Sequence, residues 1–119
     1  MREKVRDKGR IEHILQACND LLASKAKYQF EDIKDDPVIF FGFVKLAEII
    51  GEASYMLTRE FRIAHPQIPW EQMIGLRHVL VHGYYTIRQK QLWNIIEKDI
   101  PLLKPQIEEL LASTDFPEE

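Results

Sequence analysis

The 119-residue chain is long enough for one domain with a modest core and too short for two. Its only cysteine, Cys18, cannot form an internal disulfide, and an unpaired thiol suits a reducing compartment. The N-terminal residues lack the apolar segment of a signal peptide, and no apolar run approaches the roughly 20 residues of a membrane span. We therefore expect a single domain over residues 1–119, located in the cytoplasm and not associated with a membrane.

The charge distribution leaves a nucleic-acid partner open. The formal net charge is −3, but residues 1–10 carry five cations against two anions, and further basic residues cluster between 59 and 90. Acidic residues concentrate at 31–36 and from Glu97 onward. A locally basic face can attract a polyanion even on an acidic protein, because screening limits the contribution of distant charges.

The first predicted helices follow from apolar spacing and caps. No repeat or sustained alternation of apolar and polar residues is present, so strands are not expected. Apolar residues from Ile11 to Leu22 recur at the spacing of one helical face, with Asp7 available as a cap. Asp36-Pro37 supplies a cap and a first-turn proline for a second helix, which the pattern extends from Val38 to about Ala64.

The second half of the chain predicts shorter helices. A third helix opens at Pro69 and ends at Gly83, which can take the left-handed conformation. Thr86 has capping-box spacing to Gln89 and should begin a fourth helix at once. Pro101 and Pro105 should kink or divide the C-terminal helical segment, leaving a last stretch over about 104–112 and a frayed acidic tail over 113–119. The predicted fold is all-α, an antiparallel bundle of four or five helices.

Residues 38–44 are apolar nearly all around the second helix. A helix in a small four-helix monomer usually keeps a polar face toward water. We therefore expect this segment to pack on the bundle on one side and on a second copy of the chain on the other. A central core helix is the alternative.

The densest polar cluster is Arg77-His78-Val79-Leu80-Val81-His82-Gly83-Tyr84-Tyr85. Arg77 and His82 lie about 140° apart on a straight helix, but a helix that ends at Gly83 would let the ring of His82 turn toward Arg77 or toward a symmetry mate. Phosphodiester cleavage without metal needs such a pair: an imidazole that moves the proton of a ribose 2′-hydroxyl, and a guanidinium that holds the nonbridging phosphate oxygens. A polar helix end without catalysis is the alternative.

Two further features surround this pair. His78 and His82 have the His-x3-His spacing of zinc ligands, but two ligands do not complete a site and no cysteine or further histidine is near, so no cofactor is predicted. A zinc-dependent enzyme remains a competing hypothesis. Glu48 and Glu52 interrupt the apolar second helix and could orient Arg77 or His82, or could simply form a solvated edge.

Four stretches of the chain, over residues 10–15, 49–53, 66–70 and 75–85, match one known pattern in order and spacing, and the last contains an Arg-x4-His-x-Tyr motif. In these stretches the chain resembles the HepT-like branch of the HEPN proteins, and the resemblance covers about residues 8–112. It implies a helical bundle that forms a homodimer, with the two motifs facing a cleft at the subunit interface.

The resemblance also implies an activity and its control. The expected function is that of a metal-independent endoribonuclease toxin in which Arg77 and His82 are catalytic. Its expected partners are the RNA substrate and a nucleotidyltransferase antitoxin of the MntA type, which attaches AMP to the tyrosine matched by Tyr84 and can associate with the dimer in a larger assembly. An attached AMP would add charge and bulk at the mouth of the RNA-binding cleft.

The chain departs from the family pattern at two places. His78 stands where Asn is often found, and Tyr85-Thr86-Ile87-Arg88 replaces a segment that often ends in an acid. Both a shifted substrate preference and a lost activity are compatible with these changes. A noncatalytic HEPN module, which binds nucleotide or RNA or serves as the helical partner of a nucleotidyltransferase, is therefore the second hypothesis.

Overall fold

The computed structural model describes residues 6–83 and 87–116, and all secondary structure within these ranges is helical. The elements are α1 (Asp7–Lys27), α2 (Phe30–Asp35), α3 (Pro37–Met56), α4 (Arg59–Ala64), α5 (Trp70–His82), α6 (Gln89–Asn94), a π-helical turn (Ile95–Asp99) and α7 (Ile100–Ser113). The α6 segment, the π turn and α7 succeed one another without a break. The expected all-α bundle is confirmed, with long helices α1, α3, α5 and α7 and the shorter α2, α4 and α6.

Helix α1 is buried along the stripe that its sequence predicts. Ile11, Ile14, Cys18 and Leu21 are fully enclosed, and α1 packs mainly on α3 and α7. Burial raises the pKa of the Cys18 thiol to about 12, because the charged thiolate would lose its hydration. Cys18 is therefore a small core residue and not a nucleophile.

The second predicted helix begins where expected and ends earlier than expected. The Asp36 side chain accepts a hydrogen bond from Val38 N (2.9 Å), and Pro37 occupies the first turn. The prediction of one helix to about Ala64 is wrong, because the chain breaks at Leu57-Thr58. Thr58 caps α4 by accepting from Phe61 N (3.2 Å), and its own N and Oγ1 donate to the Asp7 carboxylate at 2.9 and 2.7 Å.

That contact also corrects the role predicted for Asp7. It is the first residue of α1, not its cap, and its carboxylate holds the α3–α4 junction. A further helix, α2, was not predicted. It is only six residues long, begins where the Asp32 carboxylate accepts from Gln29 N (2.7 Å), and buries Ile33.

The C-terminal prolines do not divide the last helix. Pro101 follows closely on the π turn, and the exposed Pro105 lies within α7. The π turn just before α7 widens the backbone, so the register can adjust ahead of Pro101. The opposite face of α7 buries Ile100, Leu103, Ile107 and Leu110. The last helix is therefore continuous from Ile100 and longer than the predicted stretch from residue 104.

The start predicted for the helix before it is also wrong. The helix α6 begins at Gln89, and the backbone N of Arg88 donates to Gln91 Oε1 (3.2 Å). Thr86, the predicted cap, lies outside the described residues.

In the parts of the chain that the structure covers, no helix is both long and apolar enough to cross a bilayer.

Candidate functional site

The site is built on the contact between α3 and α5, where the backbones approach closely. A Cβ atom at Gly51 would lie 2.6 Å from the Met73 carbonyl oxygen and 2.9 Å from the Arg77 Cα, so only glycine fits. One turn further along α3, Ser54 contacts the sulfur of Met73. Since later residues of α3 meet earlier residues of α5, the two helices run antiparallel and Arg77 leaves α5 directly beside Gly51.

Two side chains of α3 fix Arg77. Its Nε donates to Glu52 Oε2 at 2.6 Å, and the guanidinium carbon lies 4.8 Å from the ring centroid of Tyr55. The short charged hydrogen bond and the cation–π contact hold the guanidinium plane from two directions. The hydrogen bond to Glu52 uses Nε, so it does not occupy the two terminal nitrogens, which are the atoms that form a fork toward the oxygens of a phosphate.

The sequence left open whether Glu48 or Glu52 orients the arginine. The structure pairs Glu52 with Arg77, whereas Glu48 lies 3.4 Å from Lys45 on its own helix. Tyr55 was not predicted. It lies one turn after Glu52 on the same face of α3, and this spacing could have indicated a contact with Arg77. An aromatic residue at that spacing is, however, equally typical of a core position.

The two histidines lie at the C-terminal end of α5. His82 is the last residue of the helix, His78 is one turn earlier, and both are accessible to solvent. Their ring centroids are 4.7 Å apart, with the planes inclined by 55°. The guanidinium of Arg77 contacts Glu52 and Tyr55, while the ring of His82 contacts His78. In a single chain, Arg77 and His82 therefore lie on one helix, but Arg77 contacts residues of α3 and His82 contacts His78.

Gly83 ends α5 without the left-handed conformation predicted for it. Its φ is −139°, and its N–H donates to Val79 O at 2.7 Å. The hydrogen bond closes the last turn, so the chain can leave the helix without a positive φ. Tyr84, the residue matched to the modified tyrosine, lies outside the described residues.

The donor set limits the chemistry of this surface. Across residues 6–83 and 87–116, no group of three or more His, Cys, Asp or Glu side chains is placed to enclose a metal ion. What the surface offers is a fixed guanidinium and two solvent-accessible imidazoles on the same helix. An arginine is the side chain best suited to bind a phosphate, and an imidazole is the one best suited to transfer protons near neutral pH. The class defined here is an all-helical bundle that carries these two residue types together on α5.

Comparison with known proteins gives the family. The model of the family described as Ribonuclease HepT-like matches residues 11–110, and the chain belongs to that family. It is 42% identical over 101 residues to "Putative RNase TTE0752" of Caldanaerobacter subterraneus subsp. tengcongensis, covering 85% of this chain and 90% of the relative. It is 35% identical over 103 residues to "Probable ribonuclease HepT" of Thermococcus cleftensis, covering 87% and 94%. No solved structure matches the chain.

Proposed function

We propose that this protein is an endoribonuclease that cleaves RNA without a metal ion, using Arg77 and His82. The observation that carries the proposal is the guanidinium of Arg77, fixed through Nε and by a ring face, on the same helix as a solvent-accessible imidazole. Membership of the HepT-like ribonuclease family and similarity to proteins named as ribonucleases support RNA as the substrate.

The residues suggest an internal displacement. His82 accepts the proton of a ribose 2′-hydroxyl, the 2′-oxygen bonds to phosphorus, and the bond from phosphorus to the 5′-oxygen breaks. The 5′-oxygen takes a proton from an imidazolium, either His82 itself or the adjacent His78. Arg77 stabilises the charge that builds on the nonbridging oxygens. The products are a 2′,3′-cyclic phosphate and a 5′-hydroxyl, and DNA is spared because it lacks the nucleophile.

A homodimer completes the proposal. The first half of α3 exposes Val38 (81%) and Phe41 (45%), apolar side chains that a second copy of the chain would cover. Because Arg77 and His82 engage different neighbours within one chain, a phosphate bound in a cleft between two copies could meet an arginine and an imidazole at once.

Control by modification extends the proposal to a toxin–antitoxin pair. A nucleotidyltransferase antitoxin would transfer AMP to the hydroxyl of Tyr84, two residues beyond His82 in sequence. The added phosphate is negative and would repel an RNA backbone where Arg77 has to bind it. The antitoxin would associate with the dimer while it acts.

The test is cleavage of end-labelled total RNA by purified, unmodified protein in EDTA, with Arg77→Ala and His82→Ala variants beside the wild type. We expect the wild type to cleave and to leave cyclic-phosphate ends, and each variant to lose roughly 100-fold or more in rate. Circular dichroism and sedimentation of the variants serve as controls for fold and dimer. Cleavage that requires added metal, or that survives both substitutions, would contradict the assignment.

The second candidate is a noncatalytic module that binds RNA or nucleotide, or partners a nucleotidyltransferase. The observation in its favour is the separate engagement of Arg77 and His82 within one chain. A folded dimer whose Tyr84 carries no AMP by mass spectrometry, and which binds RNA without cutting it, would favour this candidate.

A further inference from the structure

We propose that His78 and His82 form a binding site for a transition-metal ion of the zinc(II) type, and that the bound ion inhibits the nuclease. Both imidazoles project from the last turns of α5, are accessible to solvent, and lie with their ring centroids 4.7 Å apart. Their spacing of four residues places them on the same side of the helix, one above the other. An ion can reach them directly from solvent.

The separation of the two rings is close to that of a two-nitrogen chelate. An ion held about 2.1 Å from one nitrogen of each ring would separate the ring centroids by roughly 4.6 Å at a right angle and roughly 5.3 Å at the tetrahedral angle that zinc prefers. From the observed 4.7 Å, the two rings therefore have to move apart by about half an ångström to bind a tetrahedral ion. Both rings are carried by one helix, so little conformational freedom would be lost when the ion binds.

The donors also indicate the kind of ion and site. Imidazole nitrogen suits zinc, copper and nickel, and not magnesium or calcium, which take oxygen ligands. With two protein ligands, water would fill the remaining positions, and the ion would exchange with solvent. The site therefore differs from a closed structural zinc site, which needs four protein ligands.

Inhibition follows from the chemistry and rests on the proposed function. A ring nitrogen that donates its lone pair to a metal cannot also accept the proton of a 2′-hydroxyl. A bound ion would thus remove His82 from the reaction and leave the Arg77 contact to Glu52 and Tyr55 in place. A zinc-dependent hydrolase would respond to the same ion in the opposite way, by gaining activity.

The first arm of the test measures binding alone. Zinc chloride is titrated into tag-free protein at about pH 8 by isothermal calorimetry, using wild type, His78→Asn, His82→Asn and the control His13→Asn. His13 is an exposed histidine on α1 and tests for adventitious imidazole binding. We expect saturable binding in wild type and in His13→Asn, and its loss in both α5 variants. Equal binding in all four proteins, or none in wild type, overturns the site.

The second arm measures RNA cleavage as the ratio of rates with and without saturating zinc. We expect that ratio to fall to roughly one-hundredth in wild type and His13→Asn, and to stay near one in His78→Asn whatever the absolute rate of that variant. Inhibition that persists in His78→Asn overturns the regulatory part of the proposal. If wild type does not cleave RNA at all, the nuclease proposal fails, while the calorimetry still decides the metal site.

Discussion

The two sides of α5 that carry the site are built in opposite ways. At Arg77 the helix presses against α3 so closely that a Cβ at Gly51 would meet the backbone, and a carboxylate and an aromatic ring fix the guanidinium. At His78 and His82 the same helix is open to solvent, and the described contact of each ring is with the other. Under the proposed function, the packed side would hold a phosphate in place and the open side would exchange protons and ligands with solvent.

The largest expected effect comes from disturbing the packed side, where α5 meets α3. Gly51→Ala would place a methyl group against the Met73 carbonyl and the Arg77 backbone, and the helices would have to separate. We expect the free energy of unfolding to fall by about 2 to 3 kcal/mol, measured by urea denaturation.

Gly75→Ala is the matched control for that change. A Cβ there meets nothing within 4 Å, and alanine favours a helix over glycine, so we expect a gain of roughly 0.5 to 1 kcal/mol. If Gly51→Ala were also stabilising, the close approach of α3 and α5 would be wrong.

A smaller effect is expected from releasing the guanidinium without disturbing the packing. Glu52→Ala removes the 2.6 Å hydrogen bond to Arg77 Nε, so the guanidinium would sample orientations that do not bind phosphate. We expect the kcat for RNA cleavage to fall about tenfold, with Glu52→Gln intermediate because its amide oxygen can still accept. The pair is partly exposed, so the free energy of unfolding should change by less than about 1 kcal/mol.

Glu48→Ala is the matched control for Glu52→Ala. Glu48 lies one turn before Glu52 but pairs with Lys45, so we expect at most about a twofold change in kcat. A loss as large as that of Glu52→Ala would mean that the acidic face of α3 as a whole acts on the RNA, and not one carboxylate acting through Arg77.

The sequence predicted the helices whose signals are local. The apolar stripe of α1 and the Asp36-Pro37 start of α3 depend on neighbours in the chain, and both are confirmed. The break at Thr58 was missed because its partner, Asp7, is 51 residues away in sequence. The power of Pro101 and Pro105 to interrupt the last helix was overestimated, because local rules predict neither the π turn before Pro101 nor the exposed position of Pro105.

The candidate site was likewise predictable from the sequence only where its signals are local. Arg77, His82 and a choice between two glutamates could be proposed from residue types and spacing. The contact of Glu52 with Arg77, and the parts played by Tyr55 and Gly51, depend on how α3 packs on α5. No local sequence pattern predicts which residues of the two helices meet. The roles of Arg77 and His82 in catalysis stay predictions until the cleavage assay is done.

Among the residues that contact Arg77, the smallest expected effect comes from Tyr55, and it separates the two contacts to Arg77 from each other. Tyr55→Ala removes the ring that lies 4.8 Å from the guanidinium carbon and leaves the Glu52 hydrogen bond in place. Because an exposed cation–π contact contributes about 0.5 to 1 kcal/mol, we expect cleavage to slow by roughly two- to fivefold. Tyr55→Phe keeps a ring face and should stay close to wild type. If phenylalanine lost as much activity as alanine, the hydroxyl and not the ring face would be what matters, and Tyr55 would act on the RNA directly instead of through the arginine.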